Sequence, residues 1–231
     1  MMTAMVSRPA PERFPYFPKV INLPVISGST APQLPWRSAA HWKASILRLE
    51  KSICYGSMTR DRDSGSVTAD SKSGEPVISY ALSAFDHANM VDGLLDACRI
   101  QLAGGCDEIQ PVADAGETIT EPYVVDPRTA VKERLYEPRF QTWLNKVEKA
   151  ARSSKLRKWI SAHPQGTCRM GGGAETAVVD VEGRVRGYGG LYVADASLCP
   201  SATGMNPMLT TMALSEWVAR RIADHLGDDS S

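Results

Sequence analysis

The chain has 231 residues, of which 43% are apolar and 23% charged, and its 26 Lys and Arg balance 26 Asp and Glu. This composition excludes wholesale disorder, which requires low hydrophobicity and a high net charge, and it argues against a nucleic-acid partner, which selects a strongly basic domain. The length predicts one large domain or two small ones, since domains hold roughly 100–200 residues.

The five cysteines are scattered, and no two of them form a Cys-x-x-Cys pair. Neither a disulfide framework nor a metal site is therefore predicted, and a reducing compartment is the simpler interpretation. The sequence shows neither the apolar run of a secretory signal nor the ~20 predominantly apolar residues of a membrane span. We expect an intracellular protein of unassigned compartment, and membrane association stays open.

In the first half of the chain, proline and apolar spacing define the elements. Seven prolines fall within the first 40 residues, so this part is expected to be extended or irregular. A helix is predicted over residues 39–53, where apolar residues recur every three or four positions. A β-hairpin is predicted around Val67 and residues 76–80, followed by a helix over residues 86–103.

The second half begins with residues 111–140, a weakly patterned stretch predicted to be a loop, and with a helix predicted over residues 138–156. Short strands are predicted at residues 178–180 and 191–194. The clearest helix covers residues 206–226, with Asn206 as its N-cap and Pro207 in its first turn. Together these elements predict an α+β fold.

His163 is the histidine with the best case for chemistry. It precedes Pro164 and opens the glycine-rich HPQGTCRMGGG segment, whereas the other three histidines have ordinary helical surroundings. A neutral imidazole held in such a loop can take a proton from a substrate hydroxyl, although this residue taken alone favours a core or surface histidine. A thiol hydrolase that pairs Cys168 with His163 is a further hypothesis, which is less favoured.

Asn206 has two interpretations. Capping a helix is a sufficient structural reason for an asparagine, and a capping side chain is less free to touch a substrate. The helix start still attracts negative charge through its unpaired amides. No GxGxxG or phosphate-binding loop occurs in the sequence, so no nucleotide-binding motif is predicted within it.

The segment from His163 to Gly171, HPQGTCRMG, resembles the HPxGTCRMG segment of the glucose–methanol–choline (GMC) flavin oxidoreductases. The continuation to Ile222 is similar as well, and Asn206 lies 43 positions after His163, which fits the spacing of the family's catalytic His and its downstream His or Asn partner. Upstream, DRDSGSV, PVISYALSAFD and PRFQTWLNKV resemble the long-chain fatty alcohol oxidase branch.

This resemblance implies oxidation of a small-molecule alcohol, of long chain in that branch, by hydride transfer to FAD. His163 would accept the hydroxyl proton, and Asn206 would be its partner. Four residues would contact FAD: Asp195, Ala196, Pro207 and Met208. The electrons would pass to O2, giving H2O2 in oxidase members, or to another acceptor.

The resemblance also implies a C-terminal portion of a longer protein. Its predicted parts are an irregular lead (1–44), a portion of the substrate-binding domain (45–160), a catalytic and FAD-contacting segment (161–227) and a tail (228–231). The catalytic and FAD-contacting segment would supply the terminal strand and helix of a Rossmann-like FAD domain. Without a nucleotide loop, the chain alone is expected to bind FAD weakly, and a non-catalytic truncated fragment is the alternative.

Overall fold

The computed structural model describes residues 5–7, 16–25, 30–112, 119–153 and 161–228. The chain divides into two compact units, of which the first comprises residues 1–59 with 84–160 and the second residues 60–83 with 161–231. Helices and small antiparallel sheets make up the described elements, which confirms the α+β class. The four-part division drawn from the sequence stays a prediction.

A three-stranded antiparallel sheet belongs to the first unit, in the order β1 (Met5–Ser7), β2 (Lys19–Leu23) and β3 (Cys54–Met58). The strand β2 lies inside the lead that is predicted to be extended or irregular. Prolines flank β2 on both sides but none falls within it, so every residue of the strand keeps its amide for the ladder.

The helix predicted over residues 39–53 is shorter in the structure. α1 (Ala39–Leu47) is followed by a 3₁₀ turn at Leu49–Lys51 and then by β3. The Ser38 hydroxyl caps α1 by accepting a hydrogen bond from the His41 amide at 3.1 Å. The helix ends before the apolar spacing does, because the pairing of β3 with β2 overrides the local helical preference.

Two long helices form the core of the first unit. α2 (Ala84–Ala103) confirms the helix predicted over residues 86–103. α4 (Pro138–Ala151) confirms most of the helix predicted over residues 138–156, whose last residues, 154–156, lie outside the described ranges. Their buried apolar residues recur at helical spacing: Val91, Leu95, Cys98 and Leu102 on α2, and Phe140, Leu144, Val147 and Ala151 on α4.

The predicted loop between these helices contains regular elements. β7 (Tyr123–Val124) pairs with β6 (Glu108–Ile109), and α3 (Val131–Arg134) follows. The ring centroid of Tyr123 lies 5.3 Å from that of Phe140 and 5.4 Å from that of Trp143. These aromatic contacts join residues distant in sequence, so apolar periodicity gives no sign of them.

The second unit includes the predicted hairpin, formed by β4 (Ser66–Ala69) and β5 (Pro76–Ser79) with Val67 opposite Ile78. The strands predicted at residues 178–180 and 191–194 are reduced to isolated bridges, in which Val179 pairs with Met170 and Val185, and Arg184 pairs with Tyr192. These bridges flank the tight turn at residues 180–184, so this part of the chain is held by a turn and not by a long ladder of paired strands.

α5 (Met208–Asp228) completes the second unit and confirms the helix predicted over residues 206–226 apart from its first two residues. Its Val218 is fully buried with Val179 and Leu198 in the apolar cluster of this unit. Among the described helices, none combines the length and the apolar character needed to cross a bilayer.

Gly183 fixes how closely the turn formed by residues 180–184 approaches α5. Its φ is +85°, and a Cβ atom added there would lie 2.5 Å from Cγ2 of Val218. The Asp180 carboxylate completes the turn by accepting hydrogen bonds from the amides of Glu182 and Arg184 at 2.9 and 3.0 Å. Glycine is therefore required at this position by both conformation and space.

We expect Gly183→Ala to lower the free energy of unfolding by about 2 kcal/mol or more, because the new methyl group strains the backbone and overlaps Val218. Urea unfolding followed by circular dichroism measures the change. Gly189→Ala is the matched control, since its Cβ would meet no atom within 4 Å. Equal stability of the two variants would contradict the close-approach argument.

Candidate active site

The segment that carries His163 is held by backbone hydrogen bonds to a short turn. The amides of Gly166, Cys168 and Met170 donate to the carbonyls of residues 196, 197 and 198 at 3.2, 3.0 and 2.9 Å. Three alternate residues thus point their donors to one side, as in an extended strand. The loop that follows His163 is fixed although it belongs to no sheet.

Gly166 makes the first of these contacts possible. Its φ is +82°, and an added Cβ atom would lie 3.0 Å from the carbonyl oxygen of Cys199. A side chain here would push the His163 loop away from the turn. The glycine therefore sets the distance between the two segments.

Asp195 begins the turn on the other side of this contact. Its carboxylate accepts a hydrogen bond from the Ser197 amide at 2.8 Å and so caps the 3₁₀ turn Ala196–Leu198. Hydrogen bonds from Ser197, through its hydroxyl and then its amide, hold the pKa of the Asp195 carboxyl below its usual range. Asp195 is nevertheless exposed, so the rest of the carboxylate can meet a ligand.

Arg169 ties the same loop to the base of the β4–β5 hairpin. Its Nε donates to the carbonyl of Gly166 at 3.3 Å, and one terminal nitrogen donates to the Ser64 hydroxyl at 2.9 Å. Reasoning from the sequence gave Arg169 no role. Its signal was its place inside the HPQGTCRMG motif, although nothing in the sequence indicated Ser64 as its partner.

The start of α5 differs by one residue from the predicted cap. The helix begins at Met208, and the Pro207 carbonyl accepts the hydrogen bond of the Thr211 amide at 2.8 Å, so Pro207 occupies the N-cap. The prediction that Asn206 caps the helix is wrong. The Asn206 side chain is exposed and has no hydrogen-bond partner among the described residues, which leaves its amide available to a ligand.

Several contacts hold α5 against the residue before Asp195, against the Gly183 turn and against the 3₁₀ turn 196–198. The Ser215 hydroxyl donates to the carbonyl of Ala194 at 2.5 Å, and the Trp217 indole donates to the carbonyl of Val181 at 3.0 Å. Leu198 of the turn packs in the same cluster as Val218 of α5. The turn therefore joins the His163 loop on one side to the Asn206 helix on the other.

Exposed apolar side chains surround the start of α5. Three of them lie within one helical turn of each other on the helix: Met208, Leu209 and Met212, which are 69%, 75% and 62% exposed. Met205, before the helix, is 46% exposed. Flexible thioethers of this kind adapt to flat or irregular apolar partners. Together with the first amides of the helix, they offer an apolar surface with a polar, electropositive edge.

The imidazole of His163 is half-exposed and has no hydrogen-bond partner among the described residues. No group of three or more His, Cys, Asp or Glu in the described ranges could hold a metal ion. The five cysteines are all free thiols. Burial raises the pKa of the Cys199 thiol beside the turn, which disfavours its nucleophilic thiolate.

We expect Asp195→Ala to lower the free energy of unfolding by about 1 kcal/mol at neutral pH, through loss of the cap. The carboxyl pKa is lowered in the folded state, so its contribution is complete above about pH 4 and is lost as the pH falls through the lowered pKa. The difference between wild type and variant should therefore shrink on acidification, as measured by urea unfolding from pH 7 to pH 3.

Asp195→Asn is the control for that experiment, because the amide oxygen still accepts the Ser197 hydrogen bond but cannot titrate. It should keep most of the cap at every pH. A difference between wild type and Asp195→Ala that stays constant with pH would contradict the role of the ionised carboxylate.

Comparison with known proteins identifies the family of the chain. A family model described as GMC oxidoreductase matches residues 61–215, which include both the His163 loop and the first turns of α5. The chain is similar to the long-chain-alcohol oxidases FAO3 and FAO4A of Arabidopsis thaliana, with 29% identity over 88% of this chain and 28% over 98%. It spans only 26% and 29% of the length of those relatives.

A solved structure supports the same fold. The formate oxidase of Aspergillus oryzae RIB40, in a study of FAD modification, superposes with a TM-score of 0.52 at 19% identity. The match covers 91% of this chain and 32% of that protein. At this identity the likeness concerns the fold alone.

Proposed function

Because the chain belongs to the GMC oxidoreductase family, we propose that it supplies the alcohol-side residues of an FAD-dependent oxidoreductase that converts a primary alcohol into an aldehyde. One observation carries this proposal. The loop of His163 and the helix that follows Asn206 are both fixed to the turn that Asp195 caps. A base, an amide and a helix start thus belong to one structural unit.

His163 is the base in this proposal. An imidazole nitrogen takes the proton of the substrate hydroxyl as the hydride leaves the adjacent carbon, so the alcohol loses two electrons and two hydrogens in all. The half-exposed ring without a hydrogen-bond partner among the described residues suits this role. Its loop backbone, fixed at Gly166 and Cys168, limits how far the ring can move.

Asn206 orients the substrate hydroxyl. Its amide has two donors and an acceptor, so it can bind the hydroxyl oxygen and leave the hydroxyl proton directed to His163. This role depends on the finding that Pro207, and not Asn206, caps α5. An asparagine engaged in capping would have lost its acceptor to the helix.

The residues at the start of α5 and at the turn fit FAD. Met208 is an exposed thioether suited to a flat ring system, and Pro207 is half-buried beside it. The exposed Asp195 and the half-buried Ala196 form the start of the 3₁₀ turn. When bound, FAD supplies the hydride acceptor and the route for the electron pair to an acceptor such as O2, which then forms H2O2. Negative charge that develops beside the first turn of α5 is stabilised by its unpaired amides.

A long alkyl chain is the substrate feature that we favour. The Arabidopsis relatives are named for long-chain alcohols. Met205, which precedes Asn206 and is 46% exposed, also gives the region an adaptable apolar side chain, which suits an aliphatic group better than a polar one.

The first experiment is an FAD titration of the purified chain, followed by anaerobic addition of dodecanol and measurement of flavin absorbance. Weak FAD binding is expected, because the sequence has no glycine-rich phosphate loop. At saturating FAD, or with the FAD-binding part of a long-chain-alcohol oxidase added as a second polypeptide, dodecanol should bleach the flavin. His163→Gln should slow the bleaching by ~10²–10⁴-fold, the usual contribution of a general base.

Two controls sharpen this test. His41→Gln should bleach like the wild type, since His41 belongs to α1 of the first unit and is part of neither the His163 loop, the turn 196–198 nor α5. Cys168→Ser should also keep its activity, whereas a thiol mechanism would lose it. Bleaching by His163→Gln at the wild-type rate would refute the base, and no alcohol-dependent bleaching under any condition would favour a non-catalytic fragment.

A further inference from the structure

The methionines around the start of α5 are the most exposed ones in the described part of the chain. Six of the nine methionines have described side chains. Three of the six are 46%, 69% and 62% exposed and form what we call the methionine patch: Met205, Met208 and Met212. Met208 and Met212 stand about one helical turn apart on α5, and the Thr203 hydroxyl donates to the Met205 carbonyl at 2.8 Å. A small reagent in solution can therefore reach all three side chains.

The other described methionines are half-buried and packed. Met170 lies against the apolar cluster of Val179 in the second unit. The Met90 sulfur accepts a hydrogen bond from the Thr59 hydroxyl at 3.8 Å, and Met58 is the last residue of β3. A reagent must displace packed neighbours to reach these side chains, so one residue type divides into an accessible set and a protected set.

The cysteines compete poorly with the patch for an oxidant. A thiol reacts through its thiolate, so burial that raises a thiol pKa also slows oxidation of that sulfur. Burial raises the pKa of these thiols: Cys54, Cys98, Cys106 and Cys199. A thioether carries no proton and has no such requirement. Access to the sulfur therefore governs which methionine reacts, and access favours the patch.

We propose that the methionine patch is a site of modification by hydrogen peroxide, which converts its thioethers to sulfoxides ahead of the other described sulfur atoms. In this reaction a sulfur lone pair attacks one peroxide oxygen, so the O–O bond breaks and an S–O bond forms. The sulfur is oxidised by two electrons and the peroxide is reduced by two, its second oxygen leaving as water with both protons. One sulfoxide and one water result, and no other reactant is needed.

The position of the patch connects this oxidant with the candidate active site. The patch lies in the second unit and flanks Asn206, and Met208 is among the residues that we propose to contact FAD. An oxidase reaction at that flavin would release H2O2 beside these side chains, and this source of the oxidant rests on the proposed function. The modification itself does not, because peroxide from any source performs the same reaction.

Oxidation changes the chemical character of the patch. A methionine side chain is apolar and flexible, whereas its sulfoxide is polar and carries a strong acceptor oxygen. An aliphatic group that covers the oxidised patch would bury these oxygens, which weakens its binding at least about fivefold. Peroxide would thus reduce the affinity of the site for its own alcohol, and methionine sulfoxide reductases would reverse the change.

The first test maps sulfoxides by peptide mass spectrometry while the full chain is treated with dilute H2O2. In the folded chain, the patch should reach half-oxidation several-fold sooner than the protected set of Met58, Met90 and Met170. In urea all six should react at similar rates, because unfolding exposes every thioether. Similar rates in the folded chain, or the same order in urea, would overturn the proposal. Oxidation of Cys168 ahead of the patch would overturn it as well.

The second test measures what the sulfoxides do, and compares each protein with itself before and after peroxide. In the wild type, treatment should raise the dodecanol concentration that gives half the maximal rate of flavin bleaching by at least about fivefold. Met205→Leu with Met208→Leu and Met212→Leu should show no such rise, since leucine has a similar volume but no sulfur. Met58→Leu with Met90→Leu is the matched control and should respond like the wild type.

Treatment with methionine sulfoxide reductases should restore the oxidised wild type, which separates methionine oxidation from irreversible cysteine oxidation. A fully oxidised patch that leaves the dodecanol dependence unchanged would refute the effect on the site. If no form of the chain bleaches with alcohol, the proposed function fails, whereas the sulfoxide map still decides whether the patch is modified.

Discussion

The candidate site depends on the three backbone hydrogen bonds that join the His163 loop to residues 196–198. A glycine-rich segment has little side-chain packing to fix it, so its amides need fixed acceptors if the loop is to keep one conformation. The turn supplies these acceptors because Asp195 caps it and Leu198 is fully buried beneath it. The position of a proposed base is therefore set by a turn more than thirty residues away in sequence.

The start of α5 follows from a property of proline. Pro207 has no amide hydrogen, so it adds no unpaired donor of its own at the helix boundary, while its carbonyl begins the helix by accepting from Thr211. Asn206 is thereby left just outside the helix, with its amide exposed. Because the first helical hydrogen bond is accepted by Pro207, the Asn206 side chain is not needed as a cap and can contact a substrate.

The sequence was sufficient for elements that depend on local pattern, such as α2 with its helical spacing of Val91, Leu95 and Leu102. It also drew attention to His163, Asp195 and Asn206 through a motif, although their roles remain proposals. It could not predict contacts between distant backbones, such as Gly166 with Ala196, because amides and carbonyls are the same in every residue. The strands predicted at residues 178–180 and 191–194 are only isolated bridges, since a short apolar run does not reveal how long its partner strand is.

The border of the apolar surface around the start of α5 bears on what can cover that surface. Around the start of α5, Met208, Leu209 and Met212 are uncharged neighbours of the electropositive helix terminus, a combination that suits a flat ring with an electron-rich edge. The chemistry at the border of this apolar surface, rather than its hydrophobicity alone, therefore bears on which ligand the surface can take.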